Sequence, residues 1–178
     1  MRTLVLLAHP DMPSSRGNAM LAAAAHDTDG VTVHDLYTAY PDGKLDIATE
    51  QELAEAHDLI VFQFPLHWYS TPPILKQWQD EVLTFGWAYD PTGTGGSGLA
   101  LKGKTLACAL TTGAPESEYE AEGWNSHSVV DFLLPIAGTA GFLEMQWLEP
   151  WVLYAVWALS DDDLAEAAAS YQEWLTTS

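Results

Sequence analysis

The chain alternates short apolar runs with longer segments in which apolar residues recur at helical spacing. The apolar runs predict five strands, and the longer segments predict helices between them. The predicted strands are Thr3–Ala8, Val31–Leu36, Leu59–Phe64, Lys104–Leu110 and Gly141–Leu148. The predicted helices are Ser15–His26, Thr49–Ala56, Pro72–Leu83, Asn125–Thr139 and Ser160–Leu175, and a loop is predicted over Asp90–Gly98.

Several of these strands are continuous apolar runs, which is typical of a parallel sheet covered on both faces. Strands that alternate with helices indicate a doubly wound α/β architecture. We therefore expect a five-stranded parallel sheet with helices on both faces, in a single domain over residues 1–178. In such sheets ligands bind beyond the carboxyl ends of the strands, where the strand order reverses.

The loop after the first strand combines a helix start with polar side chains. Ser14, Ser15, Arg16 and Asn18 offer hydroxyls, a guanidinium and an amide beside free backbone N–H groups, which together suit one phosphate. An ordinary serine N-cap with a solvated arginine explains this loop equally well. The loop alone does not decide between these two interpretations.

The loops after the third and fourth strands carry different chemistry. Trp68 and Tyr69 follow the third strand, and their flat rings favour a wall for a planar ligand over simple core packing. After the fourth strand, the small pair Gly113–Ala114 lets the backbone approach a ligand closely. Tyr119 either donates a proton there or caps the loop. We expect all three loops to converge.

Composition narrows the class of protein. The formal net charge is −19, and the last 74 residues contain no lysine or arginine, so nucleic-acid binding is not expected. The later apolar runs fall short of the ~20 residues needed to span a bilayer, so no membrane insertion is expected. The single Cys108 cannot form an internal disulfide, which favours the cytoplasm and an inert buried thiol.

Familiar short motifs are absent or misplaced. Gly93–Gly98 matches G-x-G-x-x-G but does not follow a predicted strand or open a helix, so we interpret it as loop. The six histidines show no H-E-x-x-H spacing, so no metal site is expected. The sequence also contains no nucleoside-triphosphate P-loop and no G-x-S-x-G elbow.

Three longer blocks carry a family likeness: LVLLAHPDMPSSRGNAML, DLIVFQFPLHWYSTPPILKQWQDEVLTFGWAY and LKGKTLACALTTGAPESEY. With them the chain resembles the flavodoxin-like NAD(P)H:quinone oxidoreductases, including the ancillary oxidoreductases of glutathione-regulated potassium efflux systems. The resemblance spans Leu4 to about Leu148 and implies a flavin held by the three loops. It assigns the flavin phosphate and ribityl chain to His9, Ser15, Arg16, Gly17 and Asn18, the isoalloxazine to Pro65, Leu66, His67, Trp68 and Tyr69, and the polar edge of the ring to Thr111, Thr112, Gly113 and Ala114.

The resemblance also implies the catalytic residues and the cofactor. Tyr119 matches a tyrosine that assists quinone reduction, and eukaryotic members have a histidine where this chain has Asn125. The proton route then runs through Tyr119 alone, His127 or water. Members that hold FAD have a long C-terminal extension not seen here, so FMN is expected, with FAD as the alternative.

The implied activity is a ping-pong reaction in which NAD(P)H passes a hydride to the flavin and a quinone, or a similar small acceptor, then takes two electrons. The family implies a homodimer. Two other functions stay open: a flavin-binding regulatory subunit of a potassium efflux transporter, and a one-electron flavodoxin-like carrier.

Overall fold

A parallel sheet forms the core of the computed structural model, which describes residues 1–90, 92 and 98–177. Its strands are β1 Thr3–Leu7, β2 Val31–Asp35, β3 Leu59–Pro65, β4 Thr105–Thr111, β5 Gln146–Trp147 and β6 Trp151–Leu153. The strand order is β2-β1-β3-β4-β5, and β6 also pairs with β4 beyond β5. Every one of these pairs is parallel.

Helices connect the strands. They are α1 Gly17–His26, α2 Leu36–Ala39, α3 Ile47–Ala56, α4 Pro73–Val82, α5 Val129–Phe132, α6 Leu134–Phe142 and α7 Asp161–Thr177. Short 3-10 helices over Met12–Ser14 and Glu116–Tyr119 lie in the loops after β1 and β4. None of the described helices is long and apolar enough to cross a lipid bilayer.

Neighbouring residues of the central strands pack on opposite faces of the sheet. Leu4 and Phe62 belong to one core cluster, which includes Trp78 of α4. Val5 and Val61 belong to a second cluster with residues of α1 and α7. Burial on both faces explains the continuous apolar runs, and the predicted doubly wound parallel sheet is confirmed.

The predicted helix Asn125–Thr139 was wrong at its start. Ser126 has a φ of 55°, in the left-handed region, and the helical backbone begins only at α5. A reciprocal capping box sets this start, because Ser128 Oγ accepts from Asp131 N at 3.2 Å and Asp131 Oδ2 accepts from Ser128 N at 2.8 Å. The remaining helix is broken at Leu133 into α5 and α6.

The predicted strand Gly141–Leu148 was wrong over its first half, because α6 continues through Phe142 and only Gln146–Trp147 are extended. An apolar run of this length does not by itself distinguish strand from helix. The strand β6 and the short helix α2 were not among the predicted elements. The predicted loop over residues 90–98 and its G-x-G-x-x-G match lie largely outside the described residues.

A buried carboxylate joins the second strand to two helices. Glu50 of α3 is fully buried, and its Oε1 accepts from His34 Nε2 at 2.7 Å and from the Tyr40 hydroxyl at 2.5 Å. Its Oε2 accepts from Trp78 Nε1 at 2.8 Å. Burial alone raises the pKa of Glu50, but these hydrogen bonds outweigh it, and the pKa lies below its ordinary value. Glu50 is therefore an ionised carboxylate held by three donors.

Candidate functional site

A cavity of about 260 Å³, called the main cavity below because all three loops line it, lies at the carboxyl edge of the sheet where β1, β3 and β4 end. The connection that leaves β1 leads to β2 on one side, and the connection that leaves β3 leads to β4 on the other, so the strand order reverses between β1 and β3. The three loops of the sequence analysis do converge here. The cavity is lined by His9, Ser14, Ser15, Arg16, Gly17, Asn18, Pro65, Leu66, His67, Thr111, Thr112, Gly113, Val156 and Trp157.

The first loop turns before α1 begins. Ser14 Oγ donates to the Asp11 carboxylate at 2.5 Å, and Ser15 Oγ accepts from Asn18 N at 3.2 Å. The helix starts at Gly17 after an Arg16 that makes no side-chain cap, and the Ser15 hydroxyl instead occupies one free N–H of the first turn. Both serines also line the cavity, so the hydrogen bonds of the loop and the polar lining use the same residues.

The Asn18 side chain is bonded within the protein. Asn18 is 1% exposed, and its Nδ2 donates to Thr111 Oγ1 at 2.9 Å. Gln63 Nε2 donates to the Asn18 carbonyl at 3.2 Å, and the Tyr171 hydroxyl of α7 donates to Gln63 Oε1 at 3.1 Å. This buried chain of hydrogen bonds fixes the floor of the cavity. It connects side chains of β3 and β4, and the helix that follows β1, to α7.

Two imidazoles contribute to the same cavity. The ring centroids of His9 and His67 are 6.3 Å apart, and His9 Nδ1 accepts from Asp11 N at 3.1 Å. Burial lowers the pKa of His9 below its ordinary value, and the proximity of His67 lowers it further. The neutral ring then carries its proton on Nε2, and it can gain a second proton where an anion compensates the charge.

The second loop forms a tight turn after β3. His67 and Ser70 exchange backbone hydrogen bonds of 3.0 Å in both directions. Between them, Trp68 and Tyr69 have φ values of 47° and 64°, a left-handed conformation that costs non-glycine residues about 1–3 kcal/mol each. The Trp68 side chain is 92% exposed, and the Tyr69 ring packs on Phe132 at 4.8 Å. Both therefore lie at the rim rather than in the lining.

The third loop is held by a fourth segment that the sequence analysis did not foresee. Thr112 N donates to Leu153 O at 2.9 Å, and Val156 N donates back to Thr112 O at 3.0 Å. A Cβ added to Gly113 would lie 3.2 Å from Trp157 Nε1, so the indole lies directly against this glycine. Val156 and Trp157 thus close the side of the cavity that faces β6.

Glycine is required where this fourth segment meets α1. A Cβ on Gly17 would lie 2.4 Å from Val156 Cγ2, closer than real side chains approach. The absence of a side chain at this position lets the β6 loop sit against the first turn of α1. The predicted site residue Ala114 is half-buried and lies outside the lining; its carbonyl accepts from Thr112 Oγ1 at 2.7 Å.

The two predicted catalytic residues gather round one aromatic ring. Phe132 lies 6.4 Å from Tyr119, 6.0 Å from His127 and 4.8 Å from Tyr69, measured between ring centroids. Tyr119 is buried and His127 is exposed, and neither is among the described residues that line the cavity. Burial raises the pKa of Tyr119, so its phenol stays protonated at neutral pH.

Two further residues complete this aromatic group. Tyr154 lies 5.8 Å from Tyr119 between ring centroids, and burial also raises the pKa of its phenol. Asn125, which stands where the eukaryotic reductases have a histidine, donates from Nδ2 to Glu118 O at 2.8 Å. Asn125 therefore stabilises the loop around Tyr119. No periodic signal marks Tyr154, because it directly follows β6, which is only three residues long.

A parallel sheet of this strand order, with its cavity at the reversal point, is flavodoxin-like. The chain belongs to the flavodoxin-like fold family Flavodoxin_2, whose model matches residues 1–175. The family expected from the sequence is thereby confirmed.

Relatives and solved structures are similar over nearly the whole chain. It is 44% identical to the uncharacterized NAD(P)H oxidoreductase YdeQ of Bacillus subtilis, over 99% of this chain and 87% of that protein. It is 43% identical to the glutathione-regulated potassium-efflux system ancillary protein KefG of Cronobacter sakazakii, over 98% and 92%. General stress protein 14 of Treponema denticola, in complex with FMN, has a TM-score of 0.90, 40% identity and 99% coverage of both chains. An NADPH-quinone reductase from P. pentosaceus has a TM-score of 0.88 and 29% identity, covering 100% of this chain and 99% of its own.

Proposed function

We propose that this protein is an FMN-dependent NAD(P)H:quinone oxidoreductase. The observation that carries the proposal is the cavity at the reversal point of the sheet, which is lined by polar groups of the β1 loop and by the Thr111–Gly113 segment. The FMN bound to the similar general stress protein 14 supports the cofactor. The similar NADPH-quinone reductase supports the reductant and the acceptor class.

The residues present fit a flavin mononucleotide. Ser15 and His9 offer a hydroxyl and an imidazole N–H to a phosphate at the start of α1, where the helix dipole also favours an anion. Gly113, in the same lining, is exposed and has no side chain, so its backbone can approach a ligand closely beside the Trp157 indole. We assign the phosphate to the first group and the polar edge of the ring system to Thr112–Ala114.

When bound, the flavin supplies the two-electron redox chemistry, and the protein supplies orientation and electrostatics. The backbone N–H groups of Gly113 and Ala114 would stabilise negative charge at the edge of the ring system. Tyr119, a neutral phenol, would donate a hydrogen bond to the acceptor oxygen, with Tyr154 beside it. The exposed His127 would exchange the proton with solvent. Reductant and acceptor would use the same open side of the cavity in turn, as in a ping-pong reaction.

The test is reconstitution of the purified protein with FMN, followed by anaerobic NADPH or NADH and then a benzoquinone. We expect the visible absorbance of the bound flavin to bleach with the reductant and return with the quinone. Failure to bind FMN would remove the cofactor assignment. Bleaching without recovery on quinone addition would leave a flavoprotein with a different acceptor.

We also propose a cytoplasmic homodimer. Four large apolar side chains, Trp68, Trp124, Leu134 and Phe142, are all at least 60% exposed. Aromatic residues are enriched at protein interfaces, which supports a partner for some of these side chains. Light scattering coupled to size exclusion should give twice the chain mass, and Trp68→Ser with Phe142→Ser should shift it toward the monomer. A monomeric wild-type protein would contradict this proposal.

A second candidate function is a regulatory subunit of a potassium efflux transporter, favoured by the 43% identity to KefG. The two candidate functions differ in what the protein does without a partner. A regulatory subunit would turn over NADPH and quinone poorly in isolation and would alter potassium flux only when its transporter is present. Efficient turnover by the isolated protein, without any effect on flux, would exclude it.

A further inference from the structure

An ion pair stands between the cavity and a second depression on the surface. Arg16 Nη2 donates to Asp161 Oδ1 at 2.7 Å, and Arg16 Nη1 donates to the Leu159 carbonyl at 3.1 Å. Ser15 and Arg16 line the main cavity on one side of this bridge. The same two residues line an open groove on the other side.

The groove lies between α1 and α7. Its volume is about 410 Å³, and its walls are Ala19 and Met20 of α1 and Leu164 and Ala165 of α7, together with the bridge. A ligand that ends in one phosphate at the start of α1 would stop at the bridge. A ligand that continues beyond its first phosphate has to cross the bridge to reach this groove.

The charges along that path are unfavourable for a second phosphate. Asp161, Asp162 and Asp163 form the first turn of α7, and the chain contains no lysine or arginine after Lys104. Arg16 is the cation at this position, and its charge is already shared with Asp161. A guanidinium has five N–H donors, so it can bind one phosphate and keep this pair. A second phosphate would meet the carboxylates instead.

We propose that the Arg16–Asp161 bridge is a specificity determinant that admits a flavin with a single phosphate and rejects the adenine dinucleotide form. The inference rests on the proposed function, because it concerns the same flavin. FAD would have to displace Asp161 from Arg16 and place its pyrophosphate beside the acidic turn. FMN binds without disturbing the bridge.

The test measures dissociation constants for FMN and FAD by calorimetry, in the wild type, Asp161→Ala and Asp162→Ala. The control Asp162→Ala makes the same change of charge and size one residue along and leaves the bridge intact. We expect the wild type to bind FMN at least about tenfold more tightly than FAD. We expect Asp161→Ala to narrow this ratio about fivefold, the scale set by two charges a few ångströms apart in water, because the Asp161 side chain is almost fully exposed. The control removes one charge of the same acidic turn but keeps the bridge, so it should narrow the ratio clearly less than Asp161→Ala does.

The outcomes separate the two proposals. Binding of FMN and FAD with equal affinity by the wild type overturns the specificity inference and leaves the flavin assignment standing. An unchanged ratio in Asp161→Ala, or an equal narrowing in Asp162→Ala, overturns the role of the bridge. Binding of neither flavin overturns the proposed function and this inference with it. An exposed pair of this kind contributes at most about 1 kcal/mol to folding, so the variants should fold.

Discussion

Replacement of Glu50 by glutamine should destabilise the fold far more than its single-atom change suggests. The carboxylate is fully buried and accepts three hydrogen bonds, from His34, Tyr40 and Trp78. An amide offers one acceptor oxygen and places an NH₂ group where the second oxygen was. If the amide oxygen faces Trp78, the NH₂ meets His34 and Tyr40; if it faces those two, the NH₂ opposes the indole N–H, which can only donate.

The expected loss follows from these bonds. Hydrogen bonds to a charged group contribute about 1.5–3 kcal/mol each, and a buried donor left without an acceptor costs about 1–3 kcal/mol. The amide keeps one or two of the three interactions in weaker, neutral form. We therefore expect Glu50→Gln to lower the free energy of unfolding by about 2–4 kcal/mol at neutral pH.

Urea denaturation followed by tryptophan fluorescence and circular dichroism measures this loss. Glu55→Gln is the matched control, since the exposed Glu55 carboxylate also accepts from an indole, Trp87 Nε1, at 2.5 Å. The control should lose less than about 1 kcal/mol, because water replaces the bond. If both variants lose the same amount, the buried network does not stabilise the fold as we have argued.

The effect should also depend on pH. The pKa of Glu50 is lowered in the folded protein, so its charge stabilises the fold fully above its ordinary value of 4.5. That contribution is lost as the pH falls through the lower, folded-state pKa. The difference between wild type and Glu50→Gln should be constant at neutral pH and shrink in acid below 4.5. A difference that does not change across this range would mean that the carboxylate is not the stabilising species.

Three further predictions concern single residues. Cys108 is fully buried and burial raises the pKa of its thiol, so iodoacetamide should label it only in denaturant; labelling of the native protein would contradict this burial. Lys104 Nζ donates to the carbonyls of Glu55 and His57 at the end of α3, at 2.8 and 2.6 Å. Lys104→Met should therefore lower the free energy of unfolding, measured in urea, by about 1–2 kcal/mol. Lys102→Met, which removes an exposed ion pair, is the control and should lower it by less than about 0.5 kcal/mol. Tyr119→Phe should slow the quinone half-reaction about tenfold or more in stopped-flow measurements and leave reduction by NADPH little changed; an equal effect on both half-reactions, or none, would remove its assigned role.

The convergence of the three loops was predictable because it follows from topology and local chemistry. Parallel strands bring their carboxyl ends to one edge, so the residues after β1, β3 and β4 had to meet there. The serine at position 15 and the small Gly113 are local signals, because a hydroxyl before a helix and a missing side chain have the same effect in many packing environments. The contacts of Asn18 with Thr111 and Gln63 join residues far apart in sequence, so no local sequence pattern predicts them.

The parts that were missed have physical reasons. Val156 and Trp157 reach the cavity through β6, which is three residues long and follows Pro150, too short for any period to register. Trp68 turns outward because two consecutive non-glycine residues adopt left-handed backbone, which sequence propensity disfavours. The apolar run Gly141–Leu148 was predicted as a strand, but its first residues form the end of α6, because an apolar run fits a buried helix as well as a buried strand.

The link from Tyr171 to the cavity floor has a consequence for how the protein is made. Tyr171 follows Gln63 by 108 residues, yet its hydroxyl holds the amide that supports Asn18. During synthesis the β1, β3 and β4 segments leave the ribosome well before α7, and domains acquire their structure as the chain emerges. The ligand cavity can be finished only after residue 171 has appeared. Nascent chains that carry all three loops but not yet α7 therefore lack the Tyr171 hydrogen bond, and we expect the cofactor to bind after α7 has emerged.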